Sequence, residues 1–402
     1  MEFDLFGLII SFSDALDNIE NEFVGIRKDH AKRVCWLSLL MGKKASFTRE
    51  QLYDLAFLAL MHDNGLTMAN NEEPDLLKHG LDPKGIHCRI GEENVQKFPL
   101  MAKEEDGILL YHHERADGLG PFKKKENEIP LMAKIIHVAD FADNSVSLGK
   151  NSSKANYLSM LPYVNKEAGR NFSPEAAELF RKAIGLKELF YLSNKDIHQE
   201  IRKIMPQESV DISNKELKDI ATVFGNIVDS KSPFTKTHSA GIADKAVKMG
   251  QYYGWDLDTR YALFFAGSLH DIGKMLIPNS ILEKPGKLTS EEYERMKLHV
   301  YYTFQMLKDV EGLQTINSWA SNHHERLDGS GYPWGKTAEQ LGTMERLLAC
   351  MDVYQALRED RPYRKGLSHQ TSISLMEDMA ENGKLDRDII ADINKVFAIE
   401  KI

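Results

Sequence analysis

Three cysteines are all this chain has in 402 residues: Cys35, Cys88 and Cys350, scattered and with no CxxC pair. Their scarcity excludes a disulfide framework, argues against a zinc–thiolate site and fits a reducing cytosol. No stretch approaches the ~20 uninterrupted apolar residues of a membrane span. The opening, Met1 to Asp17, is apolar but carries Glu2 and Asp4 where a signal peptide would be basic. A basic excess is missing too, since 51 Lys and Arg stand against 60 Asp and Glu, a formal net charge of −9. A polymeric nucleic acid would favour a basic face, so that partner class is set aside, whereas a small anion held by a few local cations is not. A cytoplasmic protein with no membrane partner is expected. Prolines number only 13 and strand-like alternation is rare, so the expected fold class is all-α.

Helical signals are specific at several places. Thr289-Ser290-Glu291-Glu292 is a capping box, and Tyr293, Met296, Val300 and Phe304 then recur at helical spacing and carry His299 with them. Ser232-Pro233 reads as a cap followed by a first-turn proline, opening a helix that presents His238, Ile242, Ala246 and Met249 along one side. A helix from about Thr259 to Leu269 delivers His270-Asp271 at its end, where Gly273 is expected to let the chain turn. The run Glu345 to Leu357 brings in Asp352. In the first half, Gln51 to Met61 and Lys134 to Asp143 match these last two. Helix stops at Ile204-Met205-Pro206-Gln207-Glu208-Ser209 and restarts from Ser213, which divides the chain into residues 1–208 and 209–402.

Histidines and aspartates form one pattern twice. The C-terminal copy reads His238, His270-Asp271, His299, His323-His324 and Asp352; the N-terminal copy reads His30, His62-Asp63, His87, His112-His113 and Asp140. The first gap is 32 positions in both copies, and the later gaps are 29 against 25, 24 against 25 and 28 against 27. A duplicated metal-binding unit accounts for such a match. Histidine and carboxylate ligands without cysteine select iron or manganese over a thiolate zinc site. Seven ligands per half exceed what one ion with open positions needs, so two divalent ions about 3.5–4 Å apart are expected, bridged by the aspartate of the His-Asp pair.

The segments His270-Asp271-Ile272-Gly273-Lys274, His323-His324-Glu325-Arg326-Leu327-Asp328-Gly329-Ser330-Gly331-Tyr332-Pro333, Asp352 and Arg361-Pro362-Tyr363-Arg364 together resemble the HD-GYP phosphodiesterases. These are HD-superfamily enzymes that hydrolyse cyclic dinucleotides. The likeness spans about Ser232 to Gly366; the first half resembles the wider HD superfamily. The resemblance implies two tandem helical HD domains, and it implies metal ligation by His238, His270, Asp271, His299, His323, His324 and Asp352. Lys274 matches the lysine that faces the scissile phosphate, while Tyr332, Arg361 and Arg364 match ligand-gripping positions. Some relatives add a glutamate four residues before the first histidine for a third metal. Phe234 stands there, which implies two ions.

The first half keeps all seven presumptive ligands and loses the rest. Leu66 replaces the lysine, Gly149 and Ser152 stand in for the arginines, and Gly120-Pro121-Phe122 lacks the tyrosine before proline. That half is expected to hold metal without hydrolysing a phosphodiester, serving as a sensory, ligand-binding or homodimer-forming domain, or as a structural duplicate. The run Lys123-Lys124-Lys125 reads as a solvated loop. The expected activity is metal-dependent hydrolysis of a cyclic dinucleotide, cyclic di-GMP or a mixed cyclic GMP-AMP, to a linear dinucleotide and onward to mononucleotides. Two rivals use the same ligands: a di-iron oxygenase, which does not need the Gly-Tyr-Pro stretch, and a cyclic-dinucleotide receptor, which does not need Lys274.

Overall fold

The structure is a computed structural model that describes all residues except 26–27, 73–83, 99–105, 148–153, 195, 233–237, 361–364 and 399–402. Among the described residues the chain is helical almost throughout, and the strands are two dipeptides. Leu5–Glu208 form one compact unit. Ser209–Ile402 form the other, together with Met1–Asp4. The N-terminal tetrapeptide joins the second unit as an antiparallel strand, Glu2 opposite Asp211 and Phe3 opposite Val210, with Phe3 fully buried.

In the C-terminal unit, three of the helices that build the site start at a side chain that satisfies amides no helical carbonyl can reach. Ser213 and Glu216 cap Asn214–Asp229 reciprocally, Asp256 accepts from the Thr259 amide to open Leu257–Leu269, and Thr289 with Glu292 forms the expected capping box of Ser290–Leu307. The helix Leu257–Leu269 is the hub. Residues 263–269 are buried on every side, because Asn214–Asp229, His238–Tyr252 and Gln314–Ser321 all pack on it. Phe265, Leu269, Ile272 and Met275 carry that core to the end of the hub helix, where His270 and Asp271 emerge. The N-terminal unit repeats the plan: Arg49–Leu60, opened by a Thr48–Gln51 capping box, packs on His30–Lys44 and ends just before His62.

The structure corrects one expectation about Gly273. Its φ is not positive, so the chain does not need glycine there to turn. It needs glycine because the backbone passes directly over the next ligand-bearing helix. A Cβ at Gly273 would sit 2.0 Å from the His299 carbonyl oxygen and 2.6 Å from the Thr303 nitrogen. Gly65 meets the same obstacle in the other unit, 2.2 Å from the His87 carbonyl oxygen. Thr303 locks the crossing, donating to the His270 carbonyl (2.9 Å) and accepting from the Gly273 amide (3.1 Å). The helix expected to open at Ser232-Pro233 is described from His238 onward; residues 233–237 lie outside the described residues.

Gly273→Ala is therefore expected to force the hub away from Ser290–Leu307 at a cost of about 1–3 kcal/mol. Thermal unfolding should reveal a lowered midpoint, with metal retention falling alongside.

Candidate metal centre

Four separate elements deliver ligands to the C-terminal cluster. His238 opens its helix and His270 ends the hub, His299 lies mid-helix on Ser290–Leu307, and Asp352 lies mid-helix on Thr343–Arg358. His323 and His324 follow Gln314–Ser321 in a turn. Asp271 sits at the centre. Its Oδ2 is 3.1 Å from His270 Nε2 and 3.9 Å from His238 Nε2, while its Oδ1 is 3.3 Å from His299 Nε2 and 3.8 Å from His323 Nε2. Asp352 closes the other side, 3.2 Å from His238 Nε2 and 3.5 Å from His324 Nδ1. All seven residues expected from the sequence thus converge.

The protons in this cluster can be placed. His270, His299 and His323 each direct Nδ1 at the carbonyl three residues back, at 2.7, 2.7 and 2.6 Å. A carbonyl only accepts, so each Nδ1 carries the hydrogen and each Nε2 is a bare lone pair. Those three Nε2 atoms and Asp271 Oδ1 are buried without a hydrogen-bond partner. Burial pushes His299 down to about 4 and His323 to about 3, and it lowers His324 as well, which leaves neutral imidazoles. Burial opposes charge on Asp271 too, yet the Lys274 ammonium beside it helps hold its carboxyl well below the usual range. Lone pairs that face one another with no proton between them fit bound cations, and the donors are imidazole and carboxylate.

Around this centre stand the residues expected to meet the ligand. Lys274 Nζ donates to Asp271 Oδ2 and remains partly exposed. The Tyr332 ring lies 4.9 Å from the His324 ring and under Lys297 Nζ at 5.7 Å. Gly331 places it, because a Cβ there would come within 2.3 Å of the Arg326 nitrogen. Arg361, Arg364 and Phe234 lie outside the described residues, as do Gly149 and Ser152.

The N-terminal ligands also converge. Asp63 is 3.1 Å from His62 and 3.6 Å from His87, and Asp140 is 3.3 Å from His30 and 3.8 Å from His113. The Nδ1 atoms of His62 and His112 donate to the Ala59 and Leu109 carbonyls, leaving both Nε2 atoms bare. Leu66 is buried where the other half has Lys274. Cys88, one of the scattered cysteines, lies beside these ligands, with its Sγ 3.4 Å from His87 Nε2. His87 is its neighbour on the same helix, while His112 and His113 come from a different element, which no CxxC spacing records. Lys124, by contrast, sits on the surface over the Tyr111 ring and beside Glu128, as a solvated loop should.

Several positioning residues escaped the sequence reading. Glu359 accepts from His238 Nδ1 at 3.0 Å, and Asp143 accepts from His30 Nδ1 at 2.7 Å. Their helical offsets from Asp352 and Asp140, seven and three residues, were the available signal. Glu325 accepts from the Trp334 and Lys336 amides at 2.8 Å each, pinning the loop that carries Tyr332. Glu114 repeats that clamp on Phe122 and Lys124. Glu20, buried 3.9 Å from His30 Nε2, adds a carboxylate to the N-terminal cluster alone.

Comparison with known proteins agrees with this geometry. The HD domain family matches residues 222–389. A Vibrio cholerae protein described as 3'3'-cGAMP-specific phosphodiesterase 1 is 30% identical over 373 residues, covering 90% of this chain and 85% of that protein. A cyclic di-GMP phosphodiesterase of Pseudomonas aeruginosa is 40% identical over 135 residues, 33% of this chain and 32% of that one. The crystal structure of a cyclic GMP-AMP-specific phosphodiesterase of V. cholerae is similar over 100% of this chain and 99% of its own, with a TM-score of 0.65 at 24% identity, a likeness in fold. No described helix is long and apolar enough to cross a membrane.

Removing a central carboxylate should lower the metal of its own cluster and leave the other cluster unchanged. Asp271→Ala and Asp63→Ala are each expected to lower the metal bound per chain, and the double variant to lower it further, as elemental analysis of anaerobically prepared protein would register.

Proposed function

The chain belongs to the HD-domain phosphodiesterases of cyclic dinucleotides, of the HD-GYP kind, and from that premise we propose that its C-terminal half hydrolyses a mixed 3'3' cyclic GMP-AMP on a two-ion centre. The protein is a metal-dependent enzyme that opens a cyclic dinucleotide. The observation that carries the reading is the buried cluster around Asp271, whose bare Nε2 atoms have no hydrogen-bond partner, with Lys274 at its edge. The preference for the mixed ring is supported by the relative named for it, which aligns along most of the chain. The relative named for cyclic di-GMP aligns over about a third.

In this reading His238, His270, Asp271, His299, His323, His324 and Asp352 would hold two iron or manganese ions. Such ions, when bound, supply an activated water and neutralise phosphoryl oxygens. The protein's own side chains do the rest. The carbonyl-tethered imidazoles keep their lone pairs inward, so the cluster forms without reorganisation. Lys274 places a fixed cation where charge builds on the non-bridging oxygens as water adds to phosphorus and the 3′ oxygen departs with a proton. Tyr332 offers a face for a base or sugar, and Arg361 with Arg364 suits phosphate forks. The linear dinucleotide formed first is then cut to mononucleotides. With Leu66 for the lysine, the N-terminal half, through His30, His62, Asp63, His87, His112, His113 and Asp140, holds metal without hydrolysing substrate, leaving it the roles of sensor, structural support or homodimer contact.

Turnover of purified protein on mixed and symmetric cyclic dinucleotides, under nitrogen with Fe(II) or Mn(II), tests the proposal. Activity that needs oxygen, or binding without turnover, would overturn it. Lys274→Ala should keep its metal and lose about 10²–10³-fold in kcat. Arg361→Ala and Arg364→Ala should each raise KM by roughly ten- to a hundredfold through one lost charge-assisted contact, with metal content unchanged.

A further inference from the structure

We infer that the N-terminal half binds a zinc-class divalent ion through Cys88, His87, His112 and His113, a thiolate-bearing site that the C-terminal half lacks. This rests on reading that half as a metal-holding duplicate, and it separates the chemistry of the two halves. The donor atoms of the four residues lie within 4.8 Å of one another. A tetrahedral ion with bonds of about 2.0–2.3 Å holds its ligand atoms roughly 3.3–3.8 Å apart. The 3.4 Å between Cys88 Sγ and His87 Nε2 is the spacing of two ligands on one such ion.

A second observation comes from a different element. His112 is fully buried, and its Nδ1 donates to the Leu109 carbonyl at 2.6 Å. Its Nε2 is therefore a lone pair, and it has no hydrogen-bond partner. The His112 ring stands 5.4 Å from the His87 ring and 4.1 Å from that of His113, so the lone pair belongs to the same cluster as the sulfur. The third observation is internal. The residue after His299, matching Cys88 after His87, is Val300, also fully buried. One scaffold thus presents a sulfur ligand in one half and a methyl group in the other.

Sulfur with imidazole selects zinc over harder ions, whereas the nitrogen and oxygen donors of the C-terminal half suit iron or manganese. Four protein ligands also close the shell, so neither water nor a phosphoryl oxygen has a position on this ion. The ion is structural: it ties Ile86–Val95 to the turn carrying His112 and His113. His30, His62 and Asp140 remain a separate donor group.

Cobalt(II) alone, titrated into metal-stripped full-length protein, is the probe. The wild type should develop a near-ultraviolet thiolate-to-cobalt charge-transfer band together with the intense visible bands of a tetrahedral ion. Cys88→Val, which installs the residue found in the other half, should lose that band and bind zinc on the order of 100-fold more weakly. Cys88→Ser, which nearly preserves size, should lose it as well. Cobalt binding without the band in the wild type overturns the inference whether or not a variant folds, and so does a band that survives in a folded Cys88→Val protein. Cyclic-dinucleotide hydrolysis assayed on the same preparations separates the two readings. Hydrolysis without the band removes only the thiolate site, and the band without hydrolysis removes only the catalytic assignment.

Discussion

Everything in each half is arranged around a burial that is unfavourable by itself. Imidazole lone pairs and carboxylate oxygens are brought together in a dry interior with almost no proton to share among them. An unpaired polar group left in such a place costs a few kcal/mol, and a bare carboxylate costs more. The donor set of His270, Asp271, His299 and His323 is tolerable because a cation is the natural partner for all of it at once. The fold's contribution is to make any other arrangement difficult. Each Nδ1 is tied to a carbonyl of its own turn, and Asp271 is held at the end of a helix whose last seven residues are buried.

The two halves separate scaffold from chemistry. Both pass a glycine over a ligand-bearing helix, both tether imidazoles to carbonyls, and both use the glutamate after the paired histidines to pin a loop. The residues that would meet a phosphodiester are carried by one half only. Lys274 has become Leu66, and Tyr332 has no aromatic counterpart before Pro121. Meanwhile the N-terminal cluster has gained Glu20 and Cys88. A metal-gathering frame can thus persist while the groups that turn metal into catalysis are exchanged, as expected when function lives in a site grafted on a fold.

The loop bearing Tyr332 illustrates how a motif acquires its letters. Gly331 is required by the close approach of the Arg326 backbone, Gly329 by its left-handed φ of 78°, and Glu325 by the amides of Trp334 and Lys336. Tyr332 is left at the cluster edge with its ring against that of His324. Three residues of the motif therefore serve to aim a fourth.

Much of this was legible in the residues alone. The capping box at Thr289, the helix restart at Ser213 and the hub helix follow from local hydrogen bonding and apolar periodicity, which sequence records directly. The repeated histidine and aspartate spacing carried the ligand set, because helices of similar length return their ends to similar places. Glu359, Asp143, Glu20 and Cys88 were not legible. Glu359 and Asp143 act on histidines more than a hundred residues away, and their helical offsets from Asp352 and Asp140 mark them only once those aspartates are placed; Glu20 and Cys88 join the cluster through packing that no motif spacing records. Gly273 was legible as important but for the wrong cause, since a crossing between two helices leaves no trace in either one. Sequence by itself determined the helical class, the duplication and the kinds of atom available to a metal. Tertiary packing decided which lone pairs face one another, which thiol joins them and where a side chain has no room, because those depend on distances between elements that the chain order does not contain.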